Sequence, residues 1–228
     1  MKNVAVMGAS GRMGQEVIRR LKDSQILTFK AGVAQGSEDY FSKPEALPAQ
    51  EIDLVIDFSL PAGFEKICDW CLHNKKPLVS GTTGLSSFQN KKLNELGMVV
   101  PTLWSPNMSI GVAFVGELLK QFKALRDFEF GIEELHHKNK KDSPSGTALF
   151  LKEKLETATG TSVEQMVSLR GGGIFGIHKI FAMSEDETIT LEHTALNRSV
   201  FAAGAIRAAE WLSAKEKGLY HLNDILGI

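Results

Sequence analysis

Three things are missing from this 228-residue chain: long apolar runs, an excess of either charge, and a second pair of cysteines. Each absence removes a class of function. No uninterrupted apolar stretch reaches the ~20 residues that a helix needs to cross a bilayer, so no membrane partner is expected. Lysine and arginine number 26 against 27 aspartates and glutamates, a formal net charge of −1. That balance gives no general attraction to nucleic acid or to an anionic surface, so an anionic ligand must be caught by local charge. Met1 to Met7 runs directly into an apolar strand pattern, with neither a signal-peptide h-region nor a transit-type segment, and a cytoplasmic location is the expectation. The two cysteines, Cys68 and Cys71, form a C-x-x-C pair. A zinc site would need two further ligands. A thioredoxin-like redox pair begins a helix, whereas this pair sits late in a helix that starts near Pro61. Both are expected as small apolar residues on a helix face.

The composition, 43% apolar and 23% charged, suits a globular protein with one large α/β domain or two modest ones. Lys2 to Met7 reads as a buried strand, Gly8 to Gly14 as a glycine-rich turn and Gln15 to Lys22 as an amphipathic helix with Val17, Ile18 and Leu21 inward. Ile26 to Ala34, Ile52 to Phe58, Pro77 to Ser80 and Met98 to Leu103 read as further strands. Helices follow Pro61 and run from Ser86 to Leu96; the polar stretch from Gly36 to Gln50 is loop. This alternation predicts a Rossmann-like, doubly wound parallel sheet. The rhythm changes after Asn107. A long helix from Ile110 to Leu125, a strand from Phe128 to Leu135 and a helix near Pro144 come first. Three consecutive strands follow (Val163 to Arg170, Ile174 to Ser184, Thr188 to His193), then an alanine-rich helix from Val200 to Leu212 and a short apolar tail. This half predicts an α+β domain with a mainly antiparallel sheet.

Two stretches carry chemistry. In the first, Gly8-Ala9-Ser10-Gly11-Arg12-Met13-Gly14 follows a strand and opens a helix. Gly8 suits the tight turn, Gly11 the approach of a pyrophosphate, and Gly14 close helix–strand packing. The helix start offers N–H groups and partial positive charge to the phosphates. An acidic residue usually ends the second strand of an NAD site; here Ala34-Gln35-Gly36 has none, Glu38 and Asp39 come later, and Arg12 can meet a 2′-phosphate. The cofactor is therefore NADPH or NADH, with a lean towards NADPH or dual use. Gly81-Thr82-Thr83-Gly84 and Ser105-Pro106-Asn107 stand at the carboxyl ends of predicted parallel strands, where ligands of such sheets bind.

In the second stretch, Glu134 to Ala148, two adjacent histidines and three lysines end a strand. A helix start follows, with Asp142 or Ser143 as the cap and Pro144 at the first helical position. The first-turn N–H groups of Gly146 and Thr147 suit a carboxylate, aided by the Thr147 hydroxyl. Lys140 adds full charge, and the histidines can move protons near neutral pH. Side chains alternate along a strand, so His136 and His137 point to opposite faces. A metal would need acidic partners that the stretch does not place, and none is expected.

The same stretch resembles the signature of the dihydrodipicolinate reductases, E-x-H-H-x-x-K-x-D-x-P-S-G-T-A, and matches it at every fixed position. The resemblance extends through Val6 to Gly14, Asp57-Phe58-Ser59-Leu60-Pro61, Gly81 to Gly84, Ser105-Pro106-Asn107-Met108-Ser109-Ile110-Gly111, and Arg198 to Trp211. It implies a catalytic acid at His136, a second proton-handling and charge-stabilising group at Lys140, and substrate contacts from His137, Ser145, Gly146 and Thr147. The cofactor would be held by Gly8, Ala9, Ser10, Gly11, Arg12 and Met13, with Gly81, Thr82, Thr83, Ser105, Pro106, Asn107 and Met108 at the nicotinamide and Arg198 near it. The substrate would be a small cyclic dicarboxylate on the diaminopimelate route to lysine, and the assembly a homotetramer. Residues 1–107, completed by 197–228, would bind the dinucleotide; residues 108–196 would bind substrate and oligomerise. Four features depart from the pattern. The acid after the second strand is missing, the segments before Asp57 and from Thr159 to Leu169 are short, and Gly173 and Ile177 replace acidic residues. Two other readings fit the bare residues: an oxidoreductase acting on an open-chain acid, and a dinucleotide sensor without turnover.

Overall fold

Val4, Ala5 and Val6 are fully buried in strand β1 (Lys2–Met7), as apolar runs covered on both faces are. The computed structural model describes residues 1–227. In it β1 leads into α1 (Arg12–Leu21), β2 (Leu27–Val33), β3 (Leu54–Asp57), α2 (Pro61–Asn74), β4 (Leu78–Ser80), α3 (Ser87–Gly97) and β5 (Pro101–Trp104). The alternation produces a parallel sheet of order β10-β5-β4-β3-β1-β2, with β10 at Gly218–Tyr220. The chain moves outward in opposite directions on either side of β1 and β3, which makes a switch point there. Local signals set the helix starts. Pro61 occupies the first turn of α2, where its missing N–H does no harm. Ser86 and Gln89 form a reciprocal capping box on α3. The loop after β2 contains two single 3-10 turns, Pro44–Ala46 and Ala49–Glu51. Cys68 and Cys71 pack in the core with Phe64 and Ile67. Burial pushes the Cys68 thiol up to about 12 and that of Cys71 well above its ordinary value, so neither is a reactive thiolate.

The tail differs from expectation. After α6 (Ser199–Leu212), Gly218–Tyr220 pairs in parallel with β5 as the sixth strand. Three residues are too few to show a period of two, and the strand is recruited by its neighbours. Gly97 makes room for it, since a Cβ there would lie 2.9 Å from that of Leu219.

The second half is built from α4 (Ile110–Leu118), β6 (Glu129–His136), α5 (Gly146–Thr159), β7 (Gln165–Arg170), β8 (Gly176–Met183) and β9 (Thr188–Ala195). The expected long helix ends at Leu118 and tightens into a 3-10 segment, Leu119–Ala124, a common way for a helix to close. The sheet order is β7-β6-β8-β9. Reading β7, β8 and β9 as consecutive antiparallel neighbours therefore needs correction. β7 pairs in parallel with β6 through the α5 crossover, and only the β6–β8 and β8–β9 pairs are antiparallel. A helix between two strands permits that parallel return. Alternate residues Phe130, Ile132, Ile180 and Ala182 form one core with Leu119, Leu151 and Leu155. The compact units are residues 1–109 with 199–227, and residues 110–198.

Candidate active site

In the first unit the glycine turn is as tight as its spacing suggests. Gly8 has φ +81°, and a Cβ on it would stand 2.6 Å from the Phe58 carbonyl oxygen. A Cβ on Gly14 would collide with the Gly8 carbonyl. Gly11 is the N-cap of α1 and no side chain caps the helix, whose first turn holds no acid. Its leading N–H groups are thus left to an incoming anion, with Ser10, Gly11 and Arg12 exposed, Met13 half-buried and Ala9 buried. This cradle fits a dinucleotide pyrophosphate. β2 ends without a carboxylate, and Glu38 and Asp39 lie exposed in the loop beyond.

The ends of β3, β4 and β5 are stitched together. Thr82 is buried, and its hydroxyl donates to Asp57 Oδ2 (2.7 Å), while its carbonyl accepts from Trp104 Nε1 (2.9 Å). Gly81 is half-buried and Thr83 exposed. In the next loop the Ser105 hydroxyl donates to the Asn107 carbonyl (2.7 Å), Asn107 Oδ1 accepts from Ser109 N–H (2.8 Å), Pro106 is exposed and Met108 buried.

In the second unit the period of two on β6 sets Glu134 and His136 on one face, both buried. Glu134 Oε2 meets His136 Nδ1. Glu134 Oε1 accepts from Arg170 Nη2 (2.6 Å) and from Ser145 N–H (3.2 Å). Arg170 also donates to the Asp142 carbonyl (2.7 Å). Beside an ionised Glu134, His136 carries its proton on Nδ1 and presents Nε2 to a reactant. Gly176 leaves that edge open, since a Cβ there would lie 3.2 Å from Nε2. His178 lies edge-on to His136, ring centroids 5.2 Å apart, with Nε2 3.3 Å from Ser145 Oγ. The turn after β6 brings Lys140 Nζ to Asp142 Oδ1 (2.9 Å). His137 follows the end of the strand and is half-buried, and its buried Nδ1 has no hydrogen-bond partner.

Charge follows this geometry. Burial pushes the Glu134 carboxyl up, but hydrogen bonds from Arg170, Ser168 and His136 override it and hold the carboxyl below its ordinary value. Burial lowers His136, and the opposing hydrogen bond and charge of Glu134 recover only part of the drop. The ligand atoms of Glu134, His136 and His178 lie within 4.8 Å of one another, close enough for a metal ion, yet the Arg170 guanidinium already sits as the cation on Glu134. His178 is pushed down to about 4, by burial first and then by the charges of His136 and His193. It therefore stays neutral when folded, while the unfolded chain takes up a proton near 6.5. Its contribution to stability is complete above 6.5 and fades as pH falls towards about 4, at up to ~1.4 kcal/mol per pH unit. Urea unfolding should show that His178→Gln loses about 2 kcal/mol less than wild type between pH 7 and pH 5. Equal losses would show that His178 does not titrate in this way.

The structure revises the helix start. Neither Asp142 nor Ser143 caps α5, and Pro144 lies outside it. Ser145 is the N-cap, accepting from Ala148 N–H (3.2 Å). The reason is tertiary: Glu134 holds the Ser145 N–H and so fixes which residue enters the helix. The Ser145 hydroxyl serves that cap and meets His178 Nε2, and the residue is buried. Gly146 is exposed and Thr147 half-buried at the first turn. Arg198 stacks over the Phe175 ring at 5.7 Å. Sequence reasoning missed Arg170 and His178 as members of this cluster, and the pairing of Glu134 with His136. Strand alternation alone signals that last pair.

Residues 2–108 match the family described as dihydrodipicolinate reductase, N-terminus, and residues 111–226 match dihydrodipicolinate reductase, C-terminus. A 4-hydroxy-tetrahydrodipicolinate reductase of Bdellovibrio bacteriovorus is 44% identical over 223 residues, covering 98% of this chain and 95% of that protein. One from Campylobacter lari is 39% identical over 250 residues and all of both chains. Among solved structures, dipicolinate-bound dihydrodipicolinate reductase from Paenisporosarcina sp. TG-14 aligns over 99% of each chain with a TM-score of 0.86 at 23% identity, a likeness of fold.

Proposed function

The chain belongs to the dihydrodipicolinate reductase family, and from that premise we propose that it reduces 4-hydroxy-tetrahydrodipicolinate to tetrahydrodipicolinate with NADH or NADPH, as a cytoplasmic enzyme of diaminopimelate and lysine biosynthesis. What carries the reading is the convergence, where β6 ends and α5 begins, of a carboxylate-held imidazole, a lysine and the first turn of a helix.

Gly8, Ala9, Ser10, Gly11, Arg12 and Met13 hold the cofactor's phosphates through the turn and the α1 start. Gly81, Thr82, Thr83, Ser105, Pro106, Asn107 and Met108 contact its nicotinamide half, Met108 through its backbone. When bound, the cofactor supplies a hydride. The side chains do the rest. The first-turn N–H groups of Gly146 and Thr147 bind one substrate carboxylate. Lys140 exchanges the Asp142 carboxylate, now 2.9 Å away, for the substrate's. His137, whose buried Nδ1 is unpartnered, adds a polar contact. A bound dianion raises the pKa of a neighbouring imidazole, so His136 takes up a proton as substrate enters and donates it from Nε2 to the charge left by hydride addition. The negative Glu134 stabilises the imidazolium.

The absence of a carboxylate at Ala34-Gln35-Gly36 removes the group that would repel a 2′-phosphate, and exposed Arg12 favours one, so NADPH is accepted at least as well as NADH. The test follows oxidation of each cofactor at 340 nm, with substrate generated in situ from pyruvate and aspartate semialdehyde by a coupled synthase. Oxidation should depend on the synthase. Binding of cofactor without turnover would overturn the enzymatic reading and favour a dinucleotide sensor.

The assembly is a homotetramer built on the outer face of the second unit's sheet. Side chains opposite the core face there include Leu135, Ile177 and Phe181, and at the β7 edge Val167 and Leu169 are half exposed. The same face carries the Lys179–Glu133 ion pair (3.3 Å), and a mixture of apolar and charged side chains suits an interface between subunits. Light scattering should give four times the 25.0 kDa chain mass, and Val167→Glu with Leu169→Glu should reduce it. A wild-type monomer would sink the proposal. No helix among the described residues is long and apolar enough to cross a membrane.

A further inference from the structure

We infer that Asp57, which makes none of the proposed ligand contacts, is the positioning residue of the nicotinamide half of the cofactor site: its single buried carboxylate fixes the loops that end β3 and β4. Asp57 is the last residue of β3 and is fully buried. Its Oδ1 accepts from Ser59 N–H (2.9 Å), and its Oδ2 accepts from Ser80 Oγ (2.7 Å) and Thr82 Oγ1 (2.7 Å). The Asp57 carbonyl accepts from Gly81 N–H (2.9 Å). The network reaches the end of β5, because Ser105 N–H donates to the Ser80 carbonyl (3.1 Å) and Trp104 Nε1 to that of Thr82 (2.9 Å). The glycine turn is keyed to the same element, since Gly8 packs on the Phe58 carbonyl and Gly81 on the Phe58 ring.

No cationic side chain pairs with Asp57 among the described residues. A buried carboxylate without a counter-ion is a costly way to join two loops if packing is all that is required. Burial pushes this carboxyl up, and the hydrogen bonds from Ser59, Ser80 and Thr82 offset only part of that; in its ionised form both oxygens accept and neither donates, so it can take one backbone and two hydroxyl donors converging from two loops. An asparagine would offer one accepting oxygen and turn its N–H₂ towards a donor. Orienting Thr82 and Gly81 is thus the service that the carboxylate performs for a ligand above the strand ends.

The inference rests on the dinucleotide reading above, and its test separates the two. Wild type, Asp57→Asn and Ser80→Ala are titrated by calorimetry with NADH and with ADP-ribose, which lacks the nicotinamide. Asp57→Asn should weaken NADH by about tenfold, the effect of one buried donor left unmet, and leave ADP-ribose unchanged. Ser80→Ala, which removes one donor and keeps the carboxylate, should shift NADH alone by a smaller factor and carries the test if the first variant fails to fold. In turnover the KM for NADH should rise while that for the dicarboxylate holds. Unchanged NADH affinity, or equal weakening of both ligands, would overturn the positioning role. Wild type that binds neither ligand would overturn the dinucleotide reading instead.

Discussion

Replacing His136 by alanine is expected to lower kcat by about two to four orders of magnitude, the usual worth of a positioned acid, with cofactor affinity unchanged. The cofactor cradle is built from Gly8 to Met13 in the first unit, whereas His136 ends β6 in the second. The loss should therefore fall on proton transfer and not on binding. The pH profile supplies a stricter check. Burial holds free His136 below its ordinary 6.5, and its acid form is the active one, so kcat/KM should decline as pH rises through that lowered value. In the complex the substrate's two negative charges favour the imidazolium, and the corresponding limb of kcat should lie at higher pH. His136→Ala should keep its residual rate and lose this limb. A variant with near wild-type kcat, or one that keeps the limb, removes His136 from the mechanism and passes the role to Lys140.

Much of this site was legible before any coordinates, for reasons that are local. A glycine turn between strand and helix depends on three residues whose Cβ atoms have nowhere to go, and Gly8 and Gly14 show just that. Strand β6 ends at His136, and its alternation sets Glu134 and His136 on one buried face, whereas His137 already lies past the strand and outside that alternation. Contacts made at long range were not legible. Arg170 and His178 reach Glu134 and His136 only because β7 and β8 flank β6 on opposite sides, and strand order is a property of the whole unit. The α5 cap illustrates the same limit: Asp142, Ser143 and Ser145 are all good capping types, and the choice among them is made by Glu134, eleven positions upstream of Ser145. Three-residue β10 exists because β5 offers it an edge.

Glu134→Gln is expected to separate what that carboxylate does for the fold from what it does for the reaction. Both oxygens of Glu134 are in use, on His136, on Arg170 and on the Ser145 N–H, and the side chain is wholly inaccessible. The amide removes the negative charge that supports an imidazolium at His136. It can also donate to Nδ1, which favours the tautomer with its proton on Nε2 and spoils the uptake of a second one. Activity should fall by about a hundredfold in kcat/KM at neutral pH, within the range for a disabled acid, and its decline with pH should move to lower values. Stability should fall too. Arg170 is mostly buried, and leaving a buried charge without its partner costs about 3–5 kcal/mol. Because the carboxyl is held below its ordinary 4.5, its share of stability is complete at neutral pH and lost only in acid, so urea unfolding at pH 7 reads the whole effect. Pairing the change with Arg170→Met removes the orphaned charge and should restore most of the stability, since neutral replacements of both partners are often tolerated. It should restore none of the activity, because His136 still lacks its carboxylate. If the double variant recovers both together, Glu134 acts only by holding the strands in place, and the assignment of an acid supported by Glu134 fails with it.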